Sequence, residues 1–436
     1  MRRSWSRICA LALGLPLLLT IFLAACGAGG GGGGATPSTT IKIGSDLPVS
    51  GKDTSSGLPA QNGAALAIKQ ANDSNAIPGY KLVFVPKDDV GPSGAHDPAV
   101  GKKNVDDLIG DALVAGIVGP FNSSVAKSEM PDANRAPIAL ISPANTNQCL
   151  TQEGADIGCS GANDLVPSLR PTSKVTYFRI ATTDNHQGAV IADYLYQKKG
   201  LKTVYIFDDT ETYGAGIANV FEQEWKKDGG TVLDHKSLPS STTSFVQSLT
   251  VAASTKPDAI FCGCTDSTIG TPLRQQMLQV GALKNTPFAG GDGIQTSGFA
   301  TAVGVTGGPA YSTVAAVNPD TLPSAQDFIK TYKATYTLYG AYAAGAYDCA
   351  KIYIQAIKTA LDKGVKTPVD SNDATQAKVF RQAVIDAIQH IDYSGVTGHH
   401  TFDMNGDTTD KVIAIYQLAL VNGKPDWKFV DQLTLP

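Results

Sequence analysis

Two short segments of the sequence combine hydroxyl, amide and backbone N–H groups of the kind that bind an anion. Residues 119–124 read GPFNSS and lie between a predicted strand and a predicted helix. The N–H groups at the start of a helix lack intrahelical partners and carry the positive end of the helix dipole, so a carboxylate fits there. Residues 141–146 read ISPANT and offer similar groups at the end of the next strand. Simple helix capping is the alternative for the first segment, because Asn and Ser are ordinary N-cap residues.

One acidic residue stands among glycines. Asp292 has glycine at positions 290, 291 and 293 and follows a strand predicted at 287–289. An acid in such a setting is usually part of a turn. In a cleft that excludes water, however, its carboxylate would require a positively charged partner. Asp292 is therefore a candidate for binding a cation.

Motifs for catalysis and metal binding are incomplete wherever they begin. Residues 46–53 (DLPVSGKD) lack the first glycine of a phosphate loop, and Asp53 replaces the hydroxyl residue that would hold magnesium. His399 and His400 lie beside a predicted hairpin without an H-E-x-x-H helix, which predicts a solvated turn. Residues 403–407 (DMNGD) begin like a calcium loop, but the glycine comes too early and the closing Glu is missing, which favours a hairpin turn. With no G-x-S-x-G elbow either, we expect no enzyme activity, no metal and no cofactor.

Strand-like and helix-like segments alternate along most of the chain, a pattern typical of parallel sheets with helices on both faces. The predicted strands lie near residues 41–47, 81–85, 113–118, 137–142, 176–180, 203–207, 231–235, 259–262 and 287–289. The predicted helices lie near 59–72, 97–109, 123–134, 185–198, 213–227, 243–254, 269–280, 324–338, 342–362 and 374–390. A final hairpin is predicted to turn at Asn405-Gly406. The pattern predicts an α/β fold of two doubly wound lobes, with ligand at the carboxyl ends of the strands, where the segments above lie.

The beginning of the chain has the features of an export signal. Arginines precede a short apolar stretch that ends in Leu-Ala-Ala-Cys26. This ending resembles a bacterial lipobox, in which the cysteine becomes the lipid-modified first residue, and an ordinary signal peptide with a chance cysteine is the alternative. The glycine-rich residues that follow have no apolar surface to bury and should form a flexible coil. We predict a signal peptide over 1–25, lipidation at Cys26 and a tether over 26–40, which would anchor the protein to the outer face of the cell membrane.

The net charge and the cysteine positions indicate which partners and which cysteine bonds to expect. The formal net charge is −4 and no basic stripe is present, so a nucleic-acid partner is not expected. Cys149 and Cys159 flank a polar loop and are predicted to form a disulfide bond. Cys262 and Cys264 stand two apart on a predicted strand and should face the same side, as small buried residues rather than as a metal pair.

Taken together, these features resemble the substrate-binding lipoproteins of ABC importers in the leucine/isoleucine/valine-binding class, over nearly all of residues 41–436. The resemblance is carried by residues 41–44, 49–51, 62–64, 88–89, 119–124, 141–146, 178–179, 187–188, 209, 213–214 and 402–407. It implies a type I periplasmic-binding-protein fold, in which three crossings, near 181–184, 313–317 and 410–414, join the lobes as a hinge. Lobe 1 would then comprise 41–181 plus 316–411, and lobe 2 would comprise 182–315 plus 412–436.

The resemblance also implies roles for particular residues. Ser123, the backbone of Ala144 and Thr146 match positions that hold the α-carboxylate of an amino acid. Asp292 falls where the family places an acid against the α-ammonium, so a zwitterion would pair both of its charges. The remaining ligand-binding candidates are Tyr213, which would cover the ligand on closure, Tyr342 in the side-chain pocket, and Phe121 from the first loop.

Two positions differ from the family pattern. Ser56 and Thr265 lie where the branched-chain binders carry aromatic residues. Both changes should open the pocket or make it more polar, and the family's aliphatic specificity therefore need not apply to this chain.

The predicted function is that of an extracytoplasmic solute-binding protein. It would capture a small ligand, an amino acid of the branched-chain type being the first choice, and deliver it to the permease subunits of an ABC transporter. A ligand-sensing receptor of the same fold and a binder of another small amide or carboxylate are the alternatives. An exported hydrolase is a further alternative that the missing nucleophile–base pair disfavours.

Overall fold

The computed structural model describes residues 38–435. The predicted signal peptide, the predicted lipidation site at Cys26 and most of the predicted tether lie outside these residues. Inside the described range, no helix combines the length and the apolar character that crossing a membrane requires.

The first sheet has five parallel strands in the order β2-β1-β3-β4-β5. Its strands are β1 (Thr40–Leu47), β2 (Lys81–Asp88), β3 (Val114–Val118), β4 (Ala139–Ser142) and β5 (Tyr177–Arg179). The helices of this part are α1 (Thr54–Asp73), α2 (Pro98–Gly110), α3 (Ser123–Arg135) and the short α4 (Val166–Leu169). Separate apolar clusters bury the two faces, one built with α1 and the other with α2 and α3. We call this sheet and its helices the first lobe.

The second sheet has seven strands and is also mainly parallel. Its order is β14-β13-β10-β9-β8-β6-β7, built from β6 (Thr203–Asp208), β7 (Thr231–Ser237), β8 (Ala259–Gly263), β9 (Phe288–Gly290), β10 (Ala310–Val314), β13 (Val412–Val421) and β14 (Lys424–Thr434). Its helices are α5 (Asp184–Asp193), α6 (Thr212–Lys227), α7 (Val246–Thr255), α8 (Thr271–Met277) and α9 (Ser297–Val303). One large apolar cluster fills this second lobe.

The last helices return to the first lobe. They are α10 (Gln326–Thr335), α11 (Ala343–Asp362) and α12 (Ala374–Gln389), followed by a small hairpin of β11 (Tyr393–Gly395) and β12 (Gly398–His400). Helix α11 packs on α1, and α12 packs on α11 and β3. The predicted α/β fold is therefore confirmed, with two sheets that are mainly parallel.

Three segments of chain run between the two sheets side by side. The backbone N–H of Thr182 donates a 2.8 Å hydrogen bond to the carbonyl of Ala315. The hydroxyl of Thr182 lies 3.0 Å from both the carbonyl oxygen and the N–H nitrogen of Val412. A single threonine thus joins all three segments.

The prediction that the final hairpin turns at Asn405-Gly406 is wrong. That pair does form a turn, closed by a bridge between Phe402 and Thr408, but the last hairpin is β13–β14. Its turn is a second Asn-Gly pair, Asn422 and Gly423, with φ angles of 51° and 78°. Positive φ at both central residues is the geometry that a two-residue hairpin favours. The apolar run in β13 and the β10 strand beside it were not recognised as strands from the sequence.

The expectation of a solvated turn at His399-His400 holds for only one of the two residues. His399 is exposed, whereas His400 on β12 is buried, with its Nε2 2.9 Å from the hydroxyl of Thr397. The carboxylate of Asp348 on α11 accepts a 2.7 Å hydrogen bond from the N–H of Thr397. The β11–β12 hairpin is therefore fixed against α11, which takes His400 out of water.

Four of the cysteines are bonded in pairs. Cys149 and Cys159 are linked, with Cα atoms 5.1 Å apart. Cys262 and Cys264 are fully buried, as the sequence predicted, and they are also linked to each other. Cys349 on α11 is a buried free thiol.

Candidate functional site

The first site loop leaves β3 through a position that only glycine can occupy. Gly119 has a φ of 128°, and a Cβ there would lie 2.3 Å from the carbonyl oxygen of Asp46. The N–H of Gly119 donates a 2.9 Å hydrogen bond to the carbonyl of Ile141 at the end of β4. This geometry turns the chain into α3, which begins at Ser123 with Asn122 as its N-cap residue.

The second site loop, after β4, is tied directly to the first. The hydroxyl of Ser142 donates a 2.6 Å hydrogen bond to the carbonyl of Pro120, and the side-chain amide of Asn145 donates one of 2.6 Å to the carbonyl of Phe121. The Ser142 oxygen also accepts from the N–H of Ala144 at 3.2 Å. The two loops therefore behave as one unit, and the predicted ligand-binding N–H of Ala144 has a partner inside the protein.

A buried ion pair supports the second loop from beneath. Arg179, which has no exposed surface, donates from Nε to Asp407 at 2.7 Å and from Nη1 to the carbonyl of Asn147 at 2.7 Å. Asp407 accepts further hydrogen bonds from Thr151 at 2.9 Å and Gln152 at 2.6 Å. A buried ion pair whose other donors and acceptors are also hydrogen-bonded holds the loop in one geometry. Losing either partner would leave an uncompensated buried charge.

Asp292 lies in the second lobe, on a single helical turn (Asp292–Ile294) after β9. Its Oδ1 accepts a 2.7 Å hydrogen bond from the amide of Gln187 on α5. Its Oδ2 accepts one of 2.8 Å from the hydroxyl of Tyr342, the residue that precedes α11 in the first lobe. Burial raises the pKa of Asp292, although these hydrogen bonds oppose the rise. Tyr213 completes this group, because its hydroxyl accepts a 3.0 Å hydrogen bond from the N–H of Gly293.

A second buried carboxylate, Asp184, was not identified from the sequence. It is the first residue of α5, and neither of its oxygens accepts a hydrogen bond from the described residues. Burial, and then the neighbouring charge of Asp292, raise its pKa well above the ordinary value for an aspartate. The hydroxyl of Thr146 is also buried without a hydrogen-bond partner there. The position of Asp184 at the end of the crossing predicted near 181–184 could have identified it from the sequence.

A cavity between the lobes brings together many of the predicted binding residues, and we call it the Asp292 cavity. The predicted residues that line it are Ser56, Phe121, Thr265, Asp292 and Tyr342. The lining residues that were not predicted are Asp53, Ser55, Asn122, Gly293, Gln295, Thr296 and Ala341. The rings of Phe121 and Tyr342 pack edge to face with their centroids 5.7 Å apart.

The other predicted residues do not line this cavity. Ser123 is buried in the first turn of α3, and Thr146 is buried near Asp184. Ala144, on the second site loop, and Tyr213 both pack in the apolar cluster that fills the second lobe. The structure therefore places the proposed carboxylate-binding groups beside the cavity rather than on its surface.

Hydrogen bonds cross directly from one lobe to the other around this site. Besides the Tyr342–Asp292 bond, the side-chain amide of Asn147 donates to the carbonyl of Thr212 at 2.7 Å. On the far side of the Asp292 cavity, the hydroxyl of Ser55 lies 3.4 Å from the carboxylate of Asp266. The lobes are thus in contact on both sides of the cavity.

Comparisons with known proteins agree with this architecture. A leucine-binding protein from Thermotoga maritima has a TM-score of 0.71 at 22% identity, covering 89% of this chain and 97% of the other. A solute-binding protein from Rhodopseudomonas palustris, solved with 4-hydroxybenzoate, has a TM-score of 0.72 at 18% identity, covering 90% and 97%. At these identities, the likeness shows the fold alone.

Sequence relatives point in the same direction. A Leu/Ile/Val-binding protein homologue from Brucella melitensis is 23% identical over 86% of this chain and 93% of its own length. An amino acid binding protein from Pseudomonas aeruginosa is 27% identical over 69% of this chain and 75% of its own length. The model of the periplasmic binding protein family, which is made up of solute-binding proteins that act outside the cytoplasm, matches residues 40–424. The chain belongs to the periplasmic binding protein family.

Proposed function

We propose that this protein captures a free amino acid between its two lobes, outside the cytoplasm, and delivers it to the permease of an ABC transporter. It acts by binding and release, without covalent chemistry. The relatives of this chain include Leu/Ile/Val-binding proteins and an amino acid binding protein, which supports this choice of ligand.

The observation that carries the proposal is the pair of carboxylates at the site, of which Asp184 is fully buried and Asp292 is half-buried. Asp292 and Asp184 interact electrostatically, and neither takes part in any of the ion pairs formed among residues 38–435. Two buried acids without a cation are costly, because each charged form has lost its hydration. An α-ammonium group supplies one positive charge and three N–H donors, which suits the unpaired oxygens of Asp184 and the remaining lone pairs of Asp292.

The opposite end of an amino acid finds complementary groups in the first lobe. Ser123 lies in the first turn of α3, where backbone N–H groups and the helix dipole favour a carboxylate. The hydroxyl of Thr146 is buried near Asp184 and can donate to the same group. The Asp292 cavity has a volume of about 20 Å³ and does not extend to these residues, so the lobes must open for an amino acid to enter.

Such an opening would be a rotation about the three segments joined by Thr182. Most apolar residues of each lobe pack within that lobe, although Ala144 and Tyr342 of the first lobe pack with the second. We therefore propose that the lobes move as units, with boundaries at 181, 315 and 411. A ligand held by both lobes favours the closed form by contacts that only closure can make. The permease would then recognise the closed form.

Membrane attachment is part of the same proposal. A lipid on Cys26 would hold the protein at the outer face of the membrane, and the glycine-rich residues after it would let the folded part reach the permease. Metabolic labelling with a radioactive fatty acid tests this step. Label in the wild-type protein and none in Cys26→Ser is expected, and label in neither would contradict it.

Thermal-shift measurements on Pro37–Pro436, a compact unit by itself, test the ligand class. The protein, stripped of ligand, is screened against the common amino acids, urea, small amides and short carboxylates. A ligand at 100 times its dissociation constant stabilises by about 2.7 kcal/mol, which is readily seen. Stabilisation by free amino acids is expected. Stabilisation only by compounds that lack the α-ammonium or the α-carboxylate group would contradict the proposal.

Delivery to a transporter needs a test in cells. Deleting the gene should lower the uptake of the labelled ligand, and the wild-type gene should restore it. Unchanged uptake together with a lost transcriptional response to the ligand would instead identify a sensing receptor of the same fold.

A further inference from the structure

We infer that the amino acid bound at this site has a side chain that ends in N–H donors, such as an amide or a cationic group, and not an aliphatic one. This inference rests on the proposed amino-acid function and adds the side-chain class. The geometry that supports it is a set of hydrogen-bond acceptors that line the Asp292 cavity.

The first acceptor is the side chain of Asn122. As the N-cap residue of α3, it would ordinarily accept a hydrogen bond from the first turn of the helix, but it makes no capping bond. Its Oδ1 is buried, and no described residue donates to it. The residue is only 8% exposed, and it lines the cavity. A buried oxygen without a donor is unfavourable, so a ligand that supplies an N–H group gains binding energy there.

The second acceptor is the carboxylate of Asp53, which lines the same cavity and is 2% exposed. Its Oδ2 accepts a 2.7 Å hydrogen bond from the N–H of His96 and lies 3.3 Å from the Nδ1 of that ring. No hydrogen bond from the described residues reaches its Oδ1. One oxygen is therefore fixed by the protein, and the other remains available as an acceptor.

Three hydroxyl groups that line the cavity can also accept hydrogen bonds from a ligand. Ser55 and Thr296 line the cavity, and both donate their protons to Asp266 behind it, at 3.4 Å and 2.5 Å. Thr265 donates its proton to the hydroxyl of Thr268 at 3.1 Å. A hydroxyl whose proton is already committed can only accept from a ligand.

Charge points to the same class of side chain. The lining residues include the acids Asp53 and Asp292, and none of the described lining residues is lysine or arginine. An acidic ligand side chain would lie close to the negative charges of Asp53 and Asp292. An aliphatic side chain would bury these acceptors without satisfying them, which is how a polar site rejects an apolar analogue.

Isothermal titration calorimetry on Pro37–Pro436 tests the inference with ligands of matched size. Glutamine, lysine and arginine are compared with leucine and methionine. Glutamate is included because it has the size of glutamine but carries a negative charge in place of the N–H donors. We expect the best N–H-ended ligand to bind at least about tenfold more tightly than leucine or glutamate, the effect of one good hydrogen bond. Equal or tighter binding of leucine would overturn the inference while leaving the amino-acid function intact. Absence of binding by every amino acid would instead overturn the proposed function.

Variants of the two acceptors assign the preference to residues. Asn122→Ala and Asp53→Asn should each reduce the preference for the N–H-ended ligand over leucine by about tenfold. Asn122→Asp keeps an acceptor at the same position and should retain the preference. This result would show that the loss in Asn122→Ala does not come from misfolding. Asn219→Ala, at an exposed position on α6, is the matched control. An unchanged preference in both Asn122→Ala and Asp53→Asn would overturn the assignment.

Discussion

The hydroxyl of Tyr342 in the first lobe donates a 2.8 Å hydrogen bond to Oδ2 of Asp292 in the second lobe. This bond spans the cleft at the residue that we propose to bind the α-ammonium group. It exists only when the lobes are together, so it links ligand recognition with closure.

Replacing Tyr342 with phenylalanine isolates the contribution of this bond. Tyr342→Phe keeps the ring that packs on Phe121 and removes the hydroxyl, which also accepts a 3.3 Å hydrogen bond from the N–H of Ala315. Because hydrogen bonds to charged groups contribute about 1.5–3 kcal/mol, the amino-acid affinity should fall by roughly tenfold or more. Calorimetry measures the affinity, and Tyr336→Phe at the end of α10 is the control. Equal affinity in Tyr342→Phe and the wild-type protein would show that closure does not depend on this bond.

The first site loop should not tolerate a side chain at Gly119. Gly119→Ala combines a φ of 128° with a Cβ placed 2.3 Å from the carbonyl of Asp46. Gly79→Ala is a matched control, because Gly79 also has positive φ, 84°, but no atom within 4 Å of the added Cβ. We expect Gly119→Ala to lower the free energy of unfolding by at least about 2 kcal/mol more than Gly79→Ala does, from denaturant titration. Equal losses would mean that the loop adjusts freely.

The buried ion pair beneath the second loop should be important for stability. Arg179→Met leaves the carboxylate of Asp407 buried and unpaired, so the free energy of unfolding should fall by about 3–5 kcal/mol. The double variant Arg179→Met/Asp407→Leu removes both charges and should recover part of that loss. A double variant no more stable than Arg179→Met would contradict the assignment of the loss to the unpaired charge.

Asp266 should make stability depend on pH in a defined direction. Burial raises its pKa to about 7 from 3.8. Between about pH 4 and pH 7, the folded protein therefore retains a proton that the unfolded chain has lost. The contribution of Asp266 to the free energy of unfolding must decrease as pH rises through this window, by on the order of 1 kcal/mol per pH unit.

Asp266→Asn removes the titrating group while keeping an acceptor for Thr296. Denaturant unfolding of the ligand-free protein at several pH values should show a smaller loss of stability between pH 4 and pH 7 in Asp266→Asn than in the wild-type protein. Asp327→Asn, at an exposed position on α10, should keep the wild-type slope. Parallel pH profiles for Asp266→Asn and the wild-type protein would contradict this role.

Much of the fold follows from local sequence patterns. The strand ends that carry 119–124, 141–146 and Asp292 were predictable, because apolar runs alternate with helical segments and parallel strands expose their carboxyl ends at one edge. The β13–β14 hairpin was not recognised, because two Asn-Gly pairs compete as its turn and local sequence does not distinguish 405–406 from 422–423.

The details of the site depended on contacts between residues far apart in the chain. Asp184 becomes a binding candidate only because the fold buries it near Asp292, more than a hundred positions later. Asn122 has the sequence signature of a helix cap, and only the structure shows that it makes no capping bond. Such facts arise from packing between lobes, which the local sequence does not encode.

In the proposed function, the half-buried Asp292 and the buried Asp184 recognise an α-ammonium group at the cleft. The most direct test is calorimetry with two ligands, the best amino acid and its α-hydroxy analogue, which lacks the ammonium group. Both ligands are measured on the wild-type protein and on Asp292→Asn. The wild-type protein should bind the amino acid more tightly than the analogue by well over tenfold, and Asp292→Asn should lose most of this difference. Equal binding of the two ligands by the wild-type protein, or a full preference retained in Asp292→Asn, would contradict the account.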